Sequence, residues 1–133
     1  MSEQLIQFEL LMQVQSGDQF GTSTFTVPAG KRLLVDYISA DIRLPLNQRG
    51  DITVHTQPPY PGSARASVPH YFPLTPAGAS ISAAPNLRSH FLSQQTRLFT
   101  ENKLEVLLVR GPSPNRGQAG GYVSISGRFA DIV

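Results

Sequence analysis

Apolar and polar residues alternate with a period of two along much of the chain. In residues 4–15, Ile6, Phe8, Leu10, Met12 and Val14 occupy one side, while Gln7, Glu9, Gln13 and Gln15 occupy the other. Leu11 breaks the pattern as an apolar residue on the polar side. A helix would scatter those glutamines around its core face, so the pattern predicts a half-buried strand. Ser16-Gly17-Asp18 supplies a turn. Residues 22–27 are rich in β-branched and aromatic residues and predict a second strand, closed by Pro28-Ala29-Gly30.

Residues 31–44 form the longest extended segment. Leu34, Ile38, Ala40, Ile42 and Leu44 share one face, and Leu33, Val35 and Tyr37 share the other. That distribution predicts a strand that starts centrally, apolar on both faces, and passes toward an edge. Pro45 and the turn Asn47-Gln48-Arg49-Gly50 end it, and residues 52–56 make a short strand. Residues 57–86 hold seven prolines, which excludes a regular helix and predicts a long proline-stiffened loop. Within it, residues 67–72 suit an edge strand, where proline is tolerated. Residues 87–92 and 94–100 are two further extended segments, and 104–109 is a continuous apolar run suited to a buried central strand. A second loop rich in Gly and Pro covers 111–121. In the closing strand, 122–133, Val123, Ile125, Phe129 and Val133 share a face with Gly127, which marks a bulge or a close backbone approach.

These elements predict an all-β fold: a single-domain antiparallel β-sandwich, jelly-roll-like, of about eight strands over residues 1–133. No internal repeat favours a propeller or solenoid instead.

Composition changes the picture in a few places. Only 15% of the 133 residues are charged, against about 25% in an ordinary soluble domain. Uncharged polar groups must therefore cover much of the surface, which suits contact with copies of the same chain or with neutral ligands. The net charge is only +2, and the nine arginines are dispersed, without the basic stripe that nucleic acid requires. Arginine outnumbers lysine by nine to two, which favours planar contacts and interfaces. With no cysteine, disulfides, thiol nucleophiles and cysteine zinc sites are excluded. No apolar stretch reaches the roughly 18 residues of a membrane helix, and no signal-peptide pattern opens the chain. The expectation is a cytoplasmic protein by default, or a phage or surface-assembly component, without membrane insertion.

Three segments carry a resemblance. They are Thr26-Val27-Pro28-Ala29-Gly30-Lys31-Arg32-Leu33-Leu34-Val35-Asp36-Tyr37-Ile38-Ser39, Ser93-Gln94-Gln95-Thr96-Arg97-Leu98-Phe99, and Val123-Ser124-Ile125-Ser126-Gly127-Arg128-Phe129-Ala130-Asp131-Ile132. Together they resemble a family of small bacterial β-sandwich proteins without established activity. The resemblance implies the fold and a bacterial or phage origin, and no chemistry.

Candidate chemistry is sparse. His55, His70 and His90 are potential metal ligands, because imidazole suits zinc or iron. The paired His-x-His of a cupin is absent, and no cofactor is expected. No Gly-x-Ser-x-Gly turn occurs, and Ser124-Ile125-Ser126-Gly127 lies within a strand. Asp36, Asp41, Glu101 and Glu105 are the acids available for paired-carboxylate hydrolysis, yet each fits a solvated strand or turn position. Gly117-Gln118-Ala119-Gly120-Gly121 lacks the Lys-Ser/Thr of a phosphate loop. Arg49-Gly50-Asp51 spells an adhesion tripeptide on the expected turn. Tyr60, Tyr71 and Tyr122, with Arg65 and Arg116, could form a platform for a neutral carbohydrate.

The sequence thus favours a non-enzymatic structural or assembly module that forms homo-oligomers through its loops and strand edges. The alternatives are a carbohydrate-binding, lectin-like module and, third, a cupin-like metal protein or hydrolase. Partners would be copies of itself, a neutral carbohydrate or another protein.

Overall fold

The computed structural model describes residues 3–58, 67–77 and 86–132. Its strands are β1 (Gln4–Val14), β2 (Phe20–Thr26), β3 (Lys31–Pro45), β4 (Arg49–Thr56), β5 (Val68–Pro73), β6 (Thr75–Pro76), β7 (Leu87–Thr100), β8 (Lys103–Gly111) and β9 (Ala119–Asp131). They form two antiparallel sheets, ordered β1-β9-β3-β7-β6 and β2-β8-β4-β5. The chain passes back and forth between the two sheets and interleaves distant strands, which is the double Greek key of a jelly roll. The expected sandwich is therefore present, with the two-residue β6 added beside eight longer strands.

Alternation builds the core as anticipated. Met12, Val14, Ile38, Ile42, Leu44, Val123 and Ile125 of the larger sheet face Ile52, Val54, Leu104, Val106 and Leu108 of the smaller one, all essentially without solvent contact. The residues at 87–92 and 94–100 join into one strand, β7, because Ser93 continues the pairing opposite Ser39.

β3 departs from the expected face assignment. Leu33 and Val35 are buried together with Ile38, Ala40, Ile42 and Leu44, while Leu34 and Tyr37 point outward. The register shifts between Val35 and Tyr37 against both neighbouring strands: Asp36 is an extra residue against β9, while against β7 it stands alone opposite Thr96 and Arg97, and the side-chain parity of β3 reverses there. The apparent two-faced apolar start of the strand is a β-bulge joining two runs of opposite phase.

Gly127 is the partner that makes the bulge feasible. It pairs with Val35, and a Cβ placed on it would lie 2.0 Å from the Leu34 carbonyl oxygen. The glycine in β9 thus permits a close backbone approach at the irregularity.

The Arg49-Gly50-Asp51 tripeptide is not displayed on a turn. It opens β4, with Gly50 buried against Leu44 and Leu74, so the backbone is committed to the sheet. Residues 111–121 are also partly strand, since Ala119, Gly120 and Gly121 pair with β1.

Gly127→Ala is expected to cost about 2–4 kcal/mol, since backbone rather than a flexible side chain obstructs the added methyl. Urea unfolding monitored by circular dichroism measures this, and a loss below about 0.5 kcal/mol would mean the bulge relaxes freely.

Candidate functional site

The two sides of the sandwich differ in how their edges are finished. On one side lie β5, β6 and β7. β5 carries Pro69 and Pro73, β6 carries Pro76, and β7 carries Arg88 and Arg97. Proline removes a ladder donor and charge discourages docking, so this side resists added strands. On the other side lie β1 and β2, whose sequences are QLIQFELLMQV and FGTSTFT. Neither holds proline, lysine or arginine, and Glu9 is the one charge between them.

Residues below the surface hold this bare side rigid. Phe8 of β1 stacks on Phe25 of β2 at 4.0 Å between ring centroids, and Phe25 stacks in turn on Phe129 at 6.3 Å. Such offset aromatic pairs add about 0.5–1.5 kcal/mol each beyond the area they bury. At the loop end, Gly21 approaches β1 so closely that a Cβ there would meet the Gln13 carbonyl oxygen at 2.0 Å. The β1 backbone from Gln4 to Met12 pairs with β9 on one flank, and no other described strand pairs with it.

The outward side chains of β1 are Leu5, Gln7, Glu9, Leu11 and Gln13, with Leu5 83% and Leu11 50% exposed. The register continues this surface across the sheet. Leu11 pairs with Tyr122, Tyr122 with Asp41, and Asp41 with Phe91, so one transverse row carries three exposed apolar or aromatic groups. The next rows are Glu9–Ser124–Ser39–Ser93 and Gln7–Ser126–Tyr37–Gln95, small or uncharged apart from Glu9. Tyr37 and Ser93 are hydrogen-bonded through their hydroxyls. Of the nine exposed large hydrophobic residues among those described, five (Leu5, Leu11, Tyr37, Phe91 and Tyr122) lie on this one sheet face.

A cleft of about 800 Å³ overlies the bulge, lined by Asp36, Gln94, Thr96, Arg97 and Arg128 among others. Thr96 Oγ1 donates to the Val35 carbonyl at 2.7 Å, stitching β7 to the irregular stretch. Arg128 lies 3.3 Å from Glu3 and 3.9 Å from Asp36. These pairs are well exposed and contribute little to stability.

One end of the sandwich is organised by Arg110, the last inward residue of β8 and only 1% exposed. Its guanidinium donates to the carbonyls of Asp18 (3.0 Å), Gly117 (2.7 Å), Gln15 (2.9 Å) and Asn115 (3.4 Å). The β1–β2 turn and the β8–β9 loop are thereby tied together, with Gly17 N also donating to the Asn115 carbonyl at 2.7 Å. Gln48 of the β3–β4 turn joins them through Nε2, which donates to the Pro114 carbonyl at 3.2 Å. Burial pulls the Arg110 pKa down, with the Asp18 carboxylate opposing. The sequence carried a signal for this residue. Leu104, Val106 and Leu108 alternate inward, and the same parity brings Arg110 to the interior.

The residues expected to form a carbohydrate platform are dispersed. Tyr71 stands 71% exposed on the outer face of the smaller sheet, and Tyr122 on the outer face of the larger one. Arg116 is exposed in the β8–β9 loop, and Tyr60 and Arg65 lie outside the described residues. Tyr71 and Tyr122, on opposite outer faces of the sandwich, cannot share one ligand.

His90 stands apart from the other two histidines. His90 is buried in β7, its Nδ1 hydrogen-bonded to the Arg88 carbonyl at 3.0 Å. His55 and His70 belong to the other sheet, where His70 Nε2 meets Thr56 Oγ1 at 3.1 Å and His55 Nδ1 meets Ser67 Oγ at 3.4 Å. Among the described residues no three His, Asp or Glu side chains are grouped to hold a metal ion. Of the acids, Glu101 accepts from Arg32 Nε and Nη2 at 2.9 and 2.6 Å, Glu105 and Asp41 sit on opposite sheets, and Asp36 occupies the bulge. No protein-family model matches the chain, and no curated protein aligns with it.

Arg110→Met would leave the Asp18 and Gly117 carbonyls without a donor, while those of Gln15 and Asn115 keep the Asp18 and Gly17 amides, and should cost about 3 kcal/mol, with Arg110→Lys costing less because it keeps the charge without the planar fork. Chemical unfolding of both variants, with hydrogen exchange at the two loops, tests this; unchanged protection of both loops would remove Arg110 from the role. Stability should also depend on pH through the histidines. Burial lowers the pKa of His70, helped by neighbouring His55, and burial also lowers that of His90, opposed by the hydrogen bond to Arg88 and helped by its charge. The unfolded chain therefore binds more protons as pH falls below the ordinary value of 6.5, and the folded state loses stability in that window. Urea midpoints at about pH 7.5 and about pH 5 should differ less in a His70→Gln/His90→Asn variant than in the parent. An identical difference in both proteins would show that other groups control acid sensitivity.

Proposed function

We propose that the protein is a non-enzymatic structural or assembly module that associates with copies of itself through its strand edges and loops. The observation that carries this reading is the contrast between the two sides of the sandwich. One side is blunted by Pro69, Pro73 and Pro76, while β1 offers an edge open from Gln4 to Met12 without proline, lysine or arginine. Monomeric proteins ordinarily disarm a long edge strand, because its free N–H and C=O groups template further pairing. An edge left bare on a rigid frame, beside exposed Leu5, Leu11 and Tyr122, suits a surface that is covered in the working state.

The low charge supports the same reading. Only 15% of residues are charged, so desolvating this surface removes few ions from water. The loop end supports it differently: Arg110 ties two loops to one buried group, giving a preorganised rather than adaptable contact region.

Light scattering coupled to size exclusion tests the proposal. The expected mass is a multiple of 14.5 kDa that holds on dilution through the micromolar range. A monomer up to millimolar concentration would overturn self-association as the role.

A further inference from the structure

We infer that β1 pairs with β1 of a second copy, antiparallel about a two-fold axis at Phe8, joining two five-stranded sheets into one of ten. This rests on the proposed self-association and specifies its partner surface and register. In an antiparallel self-pairing, residues equidistant from the axis stand opposite each other, and side chains must keep their faces. Centred on Phe8, the outward pairs are Leu5 with Leu11 and Gln7 with Glu9, each made twice. The inward pairs are Ile6 with Leu10, Phe8 with itself, and Gln4 with Met12.

Neighbouring registers are each worse for a stated reason. An axis at Glu9 opposes that carboxylate to its own copy, and an axis at Ile6 opposes Glu9 to Glu3. An axis at residue 7 or 10 sets Glu9 against Leu5 or Leu11. Only the Phe8 axis covers both exposed leucines with each other and gives Glu9 an amide donor, and directly opposed pairs are the unit of sheet stability. The free stretch of β1 matches this span. Gln4 to Met12 pairs only with β9 among described elements, and from Gln13 onward Gly21 of β2 closes in. The Phe8–Phe25 stack anchors the residue at the axis, so the edge is presented already ordered.

Because the chain has no cysteine, single thiols can report the register directly. Gln7→Cys and Glu9→Cys chains, both substituted at exposed positions, are oxidised separately and as a mixture, and the disulfide products are counted by intact mass. The Phe8 axis places residue 7 opposite residue 9 of the partner, at a spacing that a disulfide bridges, whereas like thiols sit diagonally at about 7–8 Å. The mixture should give the heterodimer, one Gln7→Cys chain joined to one Glu9→Cys chain, several-fold in excess of either homodimer. In parallel, Leu5→Lys, at a position 83% exposed, should lower the light-scattering mass by half. Predominant homodimer cross-links, or a multimer with no excess of heterodimer and a mass that Leu5→Lys leaves unchanged, would overturn this interface while leaving self-association in place. A chain that is monomeric at every concentration, with no cross-link in the mixture, would overturn both.

Discussion

One inserted residue governs the larger sheet. β3 lies between β9 and β7 and contributes Leu33, Val35, Ile38, Ala40, Ile42 and Leu44 to the core. Those side chains fall into two runs of opposite parity, and without an extra residue between them one run would face solvent. Asp36 supplies that residue, turning its own carboxylate outward while the ladder shifts by one position. The cost of the irregularity is spread over neighbours: Gly127 clears space for the Leu34 carbonyl, and the Thr96 hydroxyl bonds the Val35 carbonyl. Burying Leu33 and Val35 is worth about 2–3 kcal/mol each, enough to outweigh one disrupted ladder step.

The ends of the sandwich solve a different problem, which is satisfying loop carbonyls that no strand can reach. At one end the solution is a buried cation. Arg110 offers a fork of donors to carbonyls from two loops, so partial negative charges from four peptide groups replace the usual carboxylate partner. At the other end backbone bonds and one buried hydroxyl do this: Val27 N donates to the Asn102 carbonyl, Glu101 N to the Gln57 carbonyl and Ile132 N to the Gly30 carbonyl, while Thr100 Oγ1 accepts from Gln57 N and donates to the Lys103 carbonyl. The Arg32–Glu101 pair, with Arg32 over the Phe99 ring at 5.7 Å, seals that end from outside.

Sequence alternation made the sheets legible wherever a strand keeps one parity throughout. β1 illustrates this, since five apolar residues from Ile6 to Val14 sit on one side and the structure turns that side inward. β3 defeated the same reasoning because periodicity measured across a bulge averages two phases into an apparent two-faced strand. Gly127 carried the missing hint, an isolated glycine on an apolar face, but the strand it accommodates lies about ninety residues away in sequence, and only pairing reveals the connection. The candidate platform of Tyr71, Tyr122 and Arg116 was not legible as a site at all. Which residues share a surface depends on strand order, and the interleaving of a jelly roll sends neighbouring segments to opposite faces. Arg110 could have been found, because the parity of β8 extends through it, but a charged residue after an apolar run ordinarily signals the strand's exit to water.

Strand order also bears on why a bare edge need not lead to uncontrolled aggregation. A sheet that grows head to tail needs two complementary edges, and such heterologous contacts continue without limit. Here the opposite edge of the five-stranded sheet is β6, with Pro76 lacking a ladder donor, and the adjoining stretch of β7 carries Arg97. In the proposed association β1 meets another β1, and a two-fold contact of that kind consumes both edges at once. In that proposal the single carboxylate at Glu9 serves as a register mark, tolerated where an amide faces it and repelled where its own copy does. In the proposed pairing, proline at one margin and one charge at the other convert a generic pairing tendency into a closed and directional association.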